Sequence, residues 1–441
     1  MENIGERFKC RLFFTRVNNR CFNNRCFTNR SYICVDVSVK DLVLLSLPDW
    51  VDNDPKMYFP LSLMLLGAVT KKAGYDVEIV DCRDGIKPLP EARFYGFSCA
   101  TPQIKVAKEW AKKLKGKTII GGAHASLLPN DCVKHFNYTV VGEGERAILD
   151  ILKGTAKEGI VVAPRINNLD AIPYPAWDMV DQPFSDTLFP GERYGKGALA
   201  ATLIGSRGCP ANCSFCGNLL TRPVYFRSVD NIIGELTELI GRGVYYFRFE
   251  DDNFTIHPHF KKLCEELAKL DIRYKCHTRS DFMKPEKAEL LRSSGCEECG
   301  LGVESADDKV LRVNNKHETS DQHKQAIAIL KDAGLRVKTY FVMGLPGETD
   351  DTLEINKQFV RDTQIDKWTV STFCPYPGCP VYKSPGLFGI QITNFDYSKW
   401  WNYLQDGYNH VIIGQTREQM WLRYKSFYSF LRSGEWQLTS K

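Results

Sequence analysis

Three cysteines stand close together near the middle of the chain, in the segment Gly-Cys209-Pro-Ala-Asn-Cys213-Ser-Phe-Cys216. Gaps of three and then two residues allow three thiolates to bind three irons of a 4Fe-4S cluster. The fourth iron would then have no protein ligand, and an open position on a metal is where a substrate or cosubstrate binds. The spacing therefore predicts a cluster that does chemistry, held by Cys209, Cys213 and Cys216.

The residues on either side of the cysteines bear on a simpler alternative, a structural zinc knuckle that lacks one ligand. Residues 200–206, Ala-Ala-Thr-Leu-Ile-Gly-Ser, have the pattern of a buried strand that ends in small residues. The cysteines would then lie on a loop at the carboxyl end of a strand, which is where the active sites of parallel barrels are found. This position favours the cluster over the zinc knuckle.

The pattern Cys-x-x-x-Cys-x-aromatic-Cys, with Phe215 at the aromatic position, resembles the cluster loop of the radical S-adenosylmethionine (SAM) superfamily. In that family the open iron chelates the amino and carboxylate groups of SAM. An electron from the cluster then splits SAM to a 5'-deoxyadenosyl radical. The resemblance implies that the chain uses a 4Fe-4S cluster and SAM, with an electron donor such as flavodoxin or ferredoxin as a partner.

A partial parallel barrel is predicted to position this loop. The candidate strands span residues 199–205, 244–250, 272–278, 300–304, 336–344 and 367–373, and a helical pattern follows each but the last. Six repeats give a partial (β/α)6 barrel. A radical SAM core has the same number of repeats. The resemblance covers roughly residues 196–380.

Side chains at the carboxyl ends of these strands would share one cavity. An acidic cluster that contains Asp251 follows the second strand, where it would face the ammonium group of SAM. By resemblance, Glu304 and Ser305 contact the ribose of SAM, Arg279 its carboxylate and Gly344 the region around its adenine. Two simpler roles remain open, since Ser305 can cap the next helix and Arg279 can pair with Asp281.

A second α/β unit precedes the barrel. Its candidate strands span residues 41–47, 75–80, 94–99, 117–121 and 138–141, and its candidate helices span 61–72, 103–115 and 145–152. This alternation predicts a doubly wound parallel sheet over residues 41–153. Such sheets bind ligands beyond the carboxyl ends of their strands, where the strand order reverses.

Two loops of small residues that follow strands, at residues 121–124 and 142–145, indicate a large flat or phosphorylated ligand, although simple tight turns explain them as well. Their order and spacing, with Val80-Asp81 and the connector 172–175, resemble the cobalamin-binding domain found ahead of many radical SAM cores. The residues that would contact cobalamin are Ser98, Gly121, Gly122, His124, Gly142, Glu143 and Gly144.

The lower cobalt ligand of methionine synthase-type domains is missing from this sequence. Those domains place an Asp-x-His-x-x-Gly motif after the first strand, whereas the first histidine of this chain is His124. Cobalamin would therefore bind with its nucleotide tail displaced, and His124 would be a loop residue near the cofactor rather than a cobalt ligand. The alternative is a domain that keeps the fold and has lost the cofactor.

These cofactors predict methylation of an unactivated carbon. The deoxyadenosyl radical would abstract a hydrogen atom, methylcobalamin would deliver a methyl group, and a second SAM would regenerate the cofactor. Radical cyclisation, rearrangement or oxidation without methyl transfer are alternatives, as is a non-catalytic iron-sulfur sensor, which would have no need of a SAM pocket. The sequence singles out no catalytic residue, and the substrate, a small molecule or a peptide, is not identified.

Composition limits the location and the partners of the protein. The 441 residues, 43% of them hydrophobic, are enough for two or three domains. No apolar run approaches the roughly 20 residues of a membrane span, and no secretory signal is recognisable at the N-terminus. We expect a cytoplasmic protein whose cysteines are mostly reduced.

Charge is concentrated in residues 1–40, where eight Lys and Arg face three acidic residues and account for the whole net charge of +5. The rest of the chain is neutral, so nucleic-acid binding by a broad basic face is not supported. The arm also carries Cys10, Cys21, Cys26 and Cys34, whose spacing matches no common metal site. A solvated extension is the simplest prediction for it.

The remaining segments are a proline-rich connector, residues 154–195, and an aromatic-rich C-terminal segment, residues 381–441. An amphipathic helix over 416–432 is expected to cover the core, although an apolar substrate pocket is an alternative. We expect the thiols of Cys296, Cys299, Cys374 and Cys379 to be packed in the interior rather than catalytic.

Overall fold

The fold is described from a computed structural model, which covers residues 39–48, 59–180, 199–217, 223–401 and 407–437. Apart from residues 39 and 40, the predicted basic arm with its four cysteines lies outside the described residues. The predictions for that arm therefore stay predictions.

The first unit is a six-stranded sheet in which every strand is parallel to its neighbours, which confirms the predicted fold class. Its strands are β1 (Lys40–Ser46), β2 (Val77–Asp81), β3 (Ala92–Ser98), β4 (Lys117–Gly121), β5 (Tyr138–Val141) and β6 (Gly159–Val162). Its helices are α1 (Leu61–Lys72), α2 (Ile104–Ala111), α3 (Ala123–Leu127), α4 (Pro129–Cys132) and α5 (Gly144–Leu152).

The strand order β2-β1-β3-β4-β5-β6 reverses direction at β1, which pairs with both β2 and β3. A crevice therefore opens beyond the carboxyl ends of β1 and β3, at the switch point of the sheet. Consecutive residues of β1 are buried on both faces, because helices cover the two sides of a parallel sheet.

Two features of this sheet differ from the predictions. Strand β6 lies within the segment predicted as the connector, and its alternating exposure is that of a short edge strand. Its four residues start with Gly159, so the sequence carries only a weak strand pattern. In addition, the short helices α3 and α4 between β4 and β5 were not among the predicted helices, because four or five residues are too few to show a helical period.

The second unit is the predicted partial barrel, a six-stranded parallel sheet in the order β14-β13-β12-β11-β10-β7. Its strands are β7 (Ala200–Leu203), β10 (Tyr246–Phe249), β11 (Arg273–Thr278), β12 (Cys296–Glu304), β13 (Arg336–Met343) and β14 (Lys367–Thr372), and a small hairpin of β8 (Ser206–Arg207) and β9 (Tyr225–Phe226) follows β7. Its helices are α6 (Val229–Ile240), α7 (Phe260–Ala268), α8 (Pro285–Ser293), α9 (Asp308–Val313), α10 (Ser320–Asp332) and α11 (Asp350–Thr363).

Alternation along the barrel strands separates an apolar outer face from a polar inner face. Phe247, Phe249 and Phe341 are buried and belong to the core beneath the helices. The residues between them, such as Arg248 and Tyr340, are half-buried and point to the opposite face. Apolar residues of both units form one continuous core, so the two units are held against each other by burial.

The C-terminal segment packs against the open side of the barrel. It consists of α12 (Pro380–Lys383), an antiparallel pair of β15 (Ile390–Ile392) and β16 (His410–Ile412), and α13 (Arg417–Ser433). The predicted helix is confirmed, and Phe427 from its buried face meets Phe341 of β13 with ring centroids 5.0 Å apart. None of the described helices combines the length and the apolar character needed to cross a membrane.

The four thiols expected to be packed are buried. Cys296 and Cys299 lie within β12 rather than before it, and the sulfur of Cys296 is 3.9 Å from that of Cys276. Cys374 and Cys379 are buried beside the C-terminal segment, and the sulfur of Cys379 accepts the N–H of Tyr382 at the start of α12. These contacts agree with packing.

Candidate functional site

A cavity of about 390 Å³ lies between the carboxyl end of the first sheet and the first strand of the barrel. From the sheet it is lined by the residues that follow β3, β4 and β5, including Ser98, Gly121, Gly122, Gly142, Glu143 and Gly144. From the barrel it is lined by the start of the cysteine loop and the end of β10, namely Ile204, Ser206, Arg207, Gly208, Glu250 and Asp252. The cavity thus borders six of the seven residues predicted to contact cobalamin and the residue that precedes Cys209.

Three glycines of this wall serve two different purposes. Gly122 and Gly142 have φ values of +90° and +97°, and a Cβ on either would stand 2.8 Å from a backbone atom of Cys99 or Ala163. These two are required by the backbone itself. A Cβ on Gly121 would meet only Val140, at 3.8 Å, so Gly121 leaves space in the cavity. A side chain at Gly121 would therefore reduce the volume of the cavity.

His124 is the predicted residue that does not line the cavity. It lies on α3, fully buried, with Nε2 3.0 Å from Asp131 Oδ2 and Nδ1 3.3 Å from Thr101 Oγ1. Its ring meets the ring of Tyr397 edge to face, with centroids 5.4 Å apart. Burial lowers the pKa of His124, although Asp131 opposes that shift. Both ring nitrogens are engaged inside the protein, so His124 supports the loop from behind.

The cysteine loop is tied to the segment that follows α9. Ser214 donates its backbone N–H to Asn314 O at 2.9 Å and its hydroxyl to Asn314 Oδ1 at 3.2 Å. Asn315 Nδ2 donates to Asn212 O at 3.1 Å. Cys213 is buried, whereas Cys209 and Cys216 are half-buried. The loop is thus held at its centre, and two of its cysteines remain partly accessible.

Cations lie beside the thiol of Cys213. Arg279 Nη1 is 3.7 Å from its sulfur. Burial raises the pKa of the Cys213 thiol, and the positive charges of Lys316 and Arg279 act in the opposite direction. Burial likewise raises the pKa of Cys209, against a backbone hydrogen bond from Ala211. Positive charge close to the loop favours thiolates, the form that binds iron.

The three thiols do not converge on one point. Within the described part of the chain, no three His, Cys, Asp or Glu side chains are gathered as the ligands of a single metal ion would be. A 4Fe-4S cluster takes each thiolate on a different iron, so its ligands are spread around a larger group.

Asp251 lies beneath the start of the loop. It is buried and accepts hydrogen bonds from the backbone N–H of Gly205, at 2.9 Å, and from the hydroxyl of Ser206. Burial raises its pKa to about 6, against these two bonds. Its side chain anchors the turn between β7 and the cysteines, whereas its neighbours Glu250 and Asp252 line the cavity.

Arg279 and Glu304 belong to one network of buried charges. Arg279 Nη2 contacts Asp281 Oδ2 at 2.9 Å and Glu318 Oε2 at 3.3 Å, so the pairing with Asp281 left open by the sequence is present. Lys316 Nζ lies 3.1 Å from Glu318 and 3.5 Å from Glu304. Burial raises the pKa of Glu304, with Lys316 opposing. The network connects the thiol of Cys213, through Arg279, to the end of β12.

The other predicted SAM contacts are Ser305, directly after Glu304, and Gly344 and Phe215, which pack against the C-terminal segment. Ser305 Oγ accepts the N–H of Asp307 at 3.1 Å, and Asp307 caps α9, so the capping turn expected as an alternative is present. Gly344, with φ +86°, is covered by the C-terminal segment, since a Cβ there would stand 2.4 Å from the ring of Tyr408. Phe215 is half-buried against the same segment.

Three charged residues that sequence reasoning missed hold the site together. Lys316 and Glu318 follow α9 in a stretch without periodicity, and nothing in the sequence assigns them to the strand ends. Arg207 precedes Cys209 by two residues and reaches across to the first sheet, with Nη2 2.5 Å from Glu145 Oε1 and Nη1 3.4 Å from Glu143 Oε1. The sequence feature that could have identified Arg207 as a site residue is its position two residues before Cys209, in the segment Ser-Arg-Gly-Cys.

The chain matches two protein families over the two units. Residues 203–360 match the family described as the Radical SAM superfamily, and residues 51–152 match the B12 binding domain. The first match covers β10 to β13 with the cysteine loop, and the second covers β2 to β5 with the glycine loops.

Curated relatives include enzymes of tetrapyrrole chemistry. The chain is 27% identical over 365 residues to the bacteriochlorophyllide d C-12(1)-methyltransferase of Chlorobaculum tepidum, covering 78% of this chain and 76% of the relative. It is 28% identical over 392 residues to the anaerobic magnesium-protoporphyrin IX monomethyl ester cyclase of Rubrivivax gelatinosus, covering 77% and 68%.

Solved structures share the fold. The radical SAM methyltransferase TsrM from Kitasatospora setae, with cobalamin and a 4Fe-4S cluster bound, superposes with a TM-score of 0.66, 15% identity and 90% coverage of both chains. The cobalamin-dependent enzyme OxsB with aqua-cobalamin gives a TM-score of 0.61, 18% identity and coverage of 90% of this chain and 57% of its own.

The contact between Arg207 and Glu145 yields a test. We expect Arg207→Met to destabilise the protein by about 2–4 kcal/mol, because the largely buried Glu145 loses its cation and Glu143 keeps only Arg165. Glu145→Gln, which keeps an acceptor, should cost less, and in the double variant the two losses should not add. Urea unfolding of the four proteins measures this. Strict additivity of the two losses would show that the contact is absent.

Proposed function

This chain belongs to the radical SAM superfamily, in the subgroup with a cobalamin-binding domain ahead of the radical SAM core, and on that premise we propose its function. We propose that it transfers a methyl group, derived from SAM, to an unactivated carbon of its substrate. Homologous methyltransferases of this subgroup support the assignment.

The shared cavity is the observation on which the proposal depends. Its walls are the glycine loops of one unit and the start of the cysteine loop of the other. A methyl donor in the first unit and a radical generator in the second would therefore face the same space. Enclosure between the two units also limits the access of water to reactive species.

The residues of the chain fit the two cofactors. Cys209, Cys213 and Cys216 would hold the cluster, with Arg279 and Lys316 balancing the charge of the thiolates. Gly121, Gly122, Gly142 and their neighbours would hold the corrinoid. When bound, the cluster with SAM supplies a 5'-deoxyadenosyl radical that abstracts hydrogen, and the corrinoid supplies the methyl group.

The role of the protein itself is to position and to enclose. Arg279 and Glu304, which share a network with Cys213, are the residues we expect to contact SAM, together with Ser305 and Phe215 beside them. Asp251 and Gly344, both buried against other parts of the chain, would support the SAM site from behind. His124, with both nitrogens engaged, gives the cobalt no histidine, as the sequence predicts.

A radical cyclisation without methyl transfer is the second candidate function. It is favoured by the similarity to the anaerobic cyclase of Rubrivivax gelatinosus. SAM labelled in its methyl group distinguishes the two, because only methyl transfer leaves the label in the product.

We further propose a small-molecule or peptide substrate, a flavodoxin or ferredoxin as electron donor, and a cytoplasmic location.

Replacing Cys213 tests the cluster assignment. We expect Cys213→Ala to lose the visible absorbance of the cluster, most of the bound iron and the formation of 5'-deoxyadenosine under a strong reductant, because one iron loses its ligand. Cys264→Ala, a buried thiol of α7 outside the loop, is the matched control and should keep all three. A fully active Cys213→Ala protein would disprove the assignment.

Filling the cavity at Gly121 tests the corrinoid assignment. A Cβ at this position would meet only Val140, at 3.8 Å, so we expect Gly121→Leu to fold, as checked by circular dichroism, while its side chain occupies space in the cavity. We expect its bound corrinoid, measured by visible absorbance after incubation with hydroxocobalamin and desalting, to fall to a small fraction of the wild-type content. Gly386→Leu, where a Cβ meets nothing within 4 Å, is the control. An unchanged corrinoid content in Gly121→Leu would place the corrinoid elsewhere.

A further inference from the structure

The inner face of the barrel carries an excess of positive charge. In the layer around Lys338 the cations are Arg248 on β10, Lys275 on β11, Lys338 on β13 and Lys367 on β14, and the anions are Glu250 and Glu298. Arg273 and Arg336 lie at the start of β11 and β13, and Glu304 at the end of β12. His277 of β11 adds no charge, because burial lowers its pKa to about 3. Four cations against two anions leave a surplus of two positive charges in a largely enclosed space.

The two carboxylates are occupied by three of the four cations. Glu298 lies 3.0 Å from Lys367 Nζ and 3.7 Å from Lys275 Nζ. Glu250 lies 2.6 Å from Arg248 Nε. Burial lowers the pKa of Lys275 to about 8, against the attraction of Glu298.

Lys338 is the cation that lacks such a contact. In the described residues, no carboxylate oxygen lies within 4.0 Å of its Nζ, which rests 5.1 Å from the centroid of the Tyr340 ring. Burial and the neighbouring cations lower its pKa, although Glu298 acts in the opposite direction. A half-buried ammonium without a paired anion is uncommon, because the loss of water around it is not compensated.

The layer around Lys338 adjoins the cavity. Glu250 lines the cavity and contacts Arg248, while His277 lies 3.4 Å from Arg248 and stacks at an angle beside Tyr340 with ring centroids 5.5 Å apart. Gly300 of β12 makes room for this arrangement, since a Cβ there would stand 2.5 Å from His277 and 2.9 Å from Tyr340. Glu250 therefore connects the cavity to the layer that contains Lys338.

We propose that the inner face of the barrel binds an oxyanion of the substrate, a carboxylate or a phosphate, with Lys338 as its main contact. The proposal rests on the proposed function in so far as it names the substrate class of the same site. An anion would pair with Lys338 and offset the positive surplus, while the uncharged part of the substrate would extend toward Glu250 and the cysteine loop. The substrate would then be an acid rather than a neutral lipid or an amine.

The test compares small anions with a neutral analogue on the reconstituted protein. Isothermal titration calorimetry with succinate, with inorganic phosphate and with uncharged succinamide distinguishes the two sources of the anion. We expect one of the two anions to bind the wild type at one site, and succinamide not to bind. Lys338→Gln should weaken that binding at least tenfold, whereas Lys338→Arg should keep it within about threefold. The control Lys324→Gln, on the exposed side of α10, should bind as the wild type does.

Several results would overturn the proposal. The first is an anion affinity of Lys338→Gln equal to that of the wild type. The second is an anion affinity of Lys338→Arg as low as that of Lys338→Gln. The third is a wild-type protein that binds neither succinate nor phosphate. If Lys338→Gln fails to fold by circular dichroism, Lys338→Met takes its place with the same expectation.

Two further measurements on the same proteins separate this proposal from the proposed function. Formation of 5'-deoxyadenosine without substrate and retention of corrinoid do not depend on an anion at Lys338. If 5'-deoxyadenosine formation and corrinoid retention are normal but substitution of Lys338 does not change anion binding, only the proposed substrate class is wrong. If the wild type forms no 5'-deoxyadenosine, the proposed function fails whatever the titrations give.

Discussion

The ion pairs of Arg207 with Glu143 and Glu145 are the contact on which the candidate site depends. Arg207 belongs to the barrel and stands two residues before Cys209, whereas Glu143 precedes α5 and Glu145 lies in its first turn, directly after β5. Burial by itself would lower the pKa of Arg207, but the two carboxylates raise it above its usual value. Arg165 also contacts Glu143, at 3.2 Å, so each charge in this small cluster is compensated. The shared apolar core brings the two units together, and this directional contact fixes which loop faces which.

A second network of charged side chains fixes the position of the cysteine loop near Cys213. Arg279 and Lys316 lie among Asp281, Glu304 and Glu318, and the thiol of Cys213 adjoins Arg279. The network places cations beside the cysteine loop, so negatively charged thiolates would lie in an environment of opposite charge. The loop is thus held at its start by Arg207 and Asp251, and at its centre by Arg279 and Asn314.

Much of the fold could be predicted from the sequence, because both units are built from strongly patterned strands. Apolar runs of four to seven residues and the helix over Leu61–Lys72 leave little ambiguity in a parallel α/β arrangement. The edge strand Gly159–Val162 was not predicted, because it is short and half-exposed and so has only a weak hydrophobic pattern. The cysteines and glycine loops were identifiable because their chemistry is carried by residue type and spacing. Arg207, Lys316 and Lys338 were not, because their roles depend on charges brought together from distant parts of the chain. For the same reason the sequence did not indicate that Asp251 faces inward or that Tyr408 covers Gly344.

The central claim, that cluster and corrinoid face one cavity, is tested most directly by electron paramagnetic resonance of the doubly loaded protein. A reduced 4Fe-4S cluster and cob(II)alamin each carry an unpaired electron, and two such centres on opposite walls of a 390 Å³ cavity are close enough to interact. The account predicts a spectrum broadened or split by that interaction, with faster relaxation of the cobalt signal when the cluster is reduced. A spectrum equal to the sum of the two separately loaded proteins would contradict it.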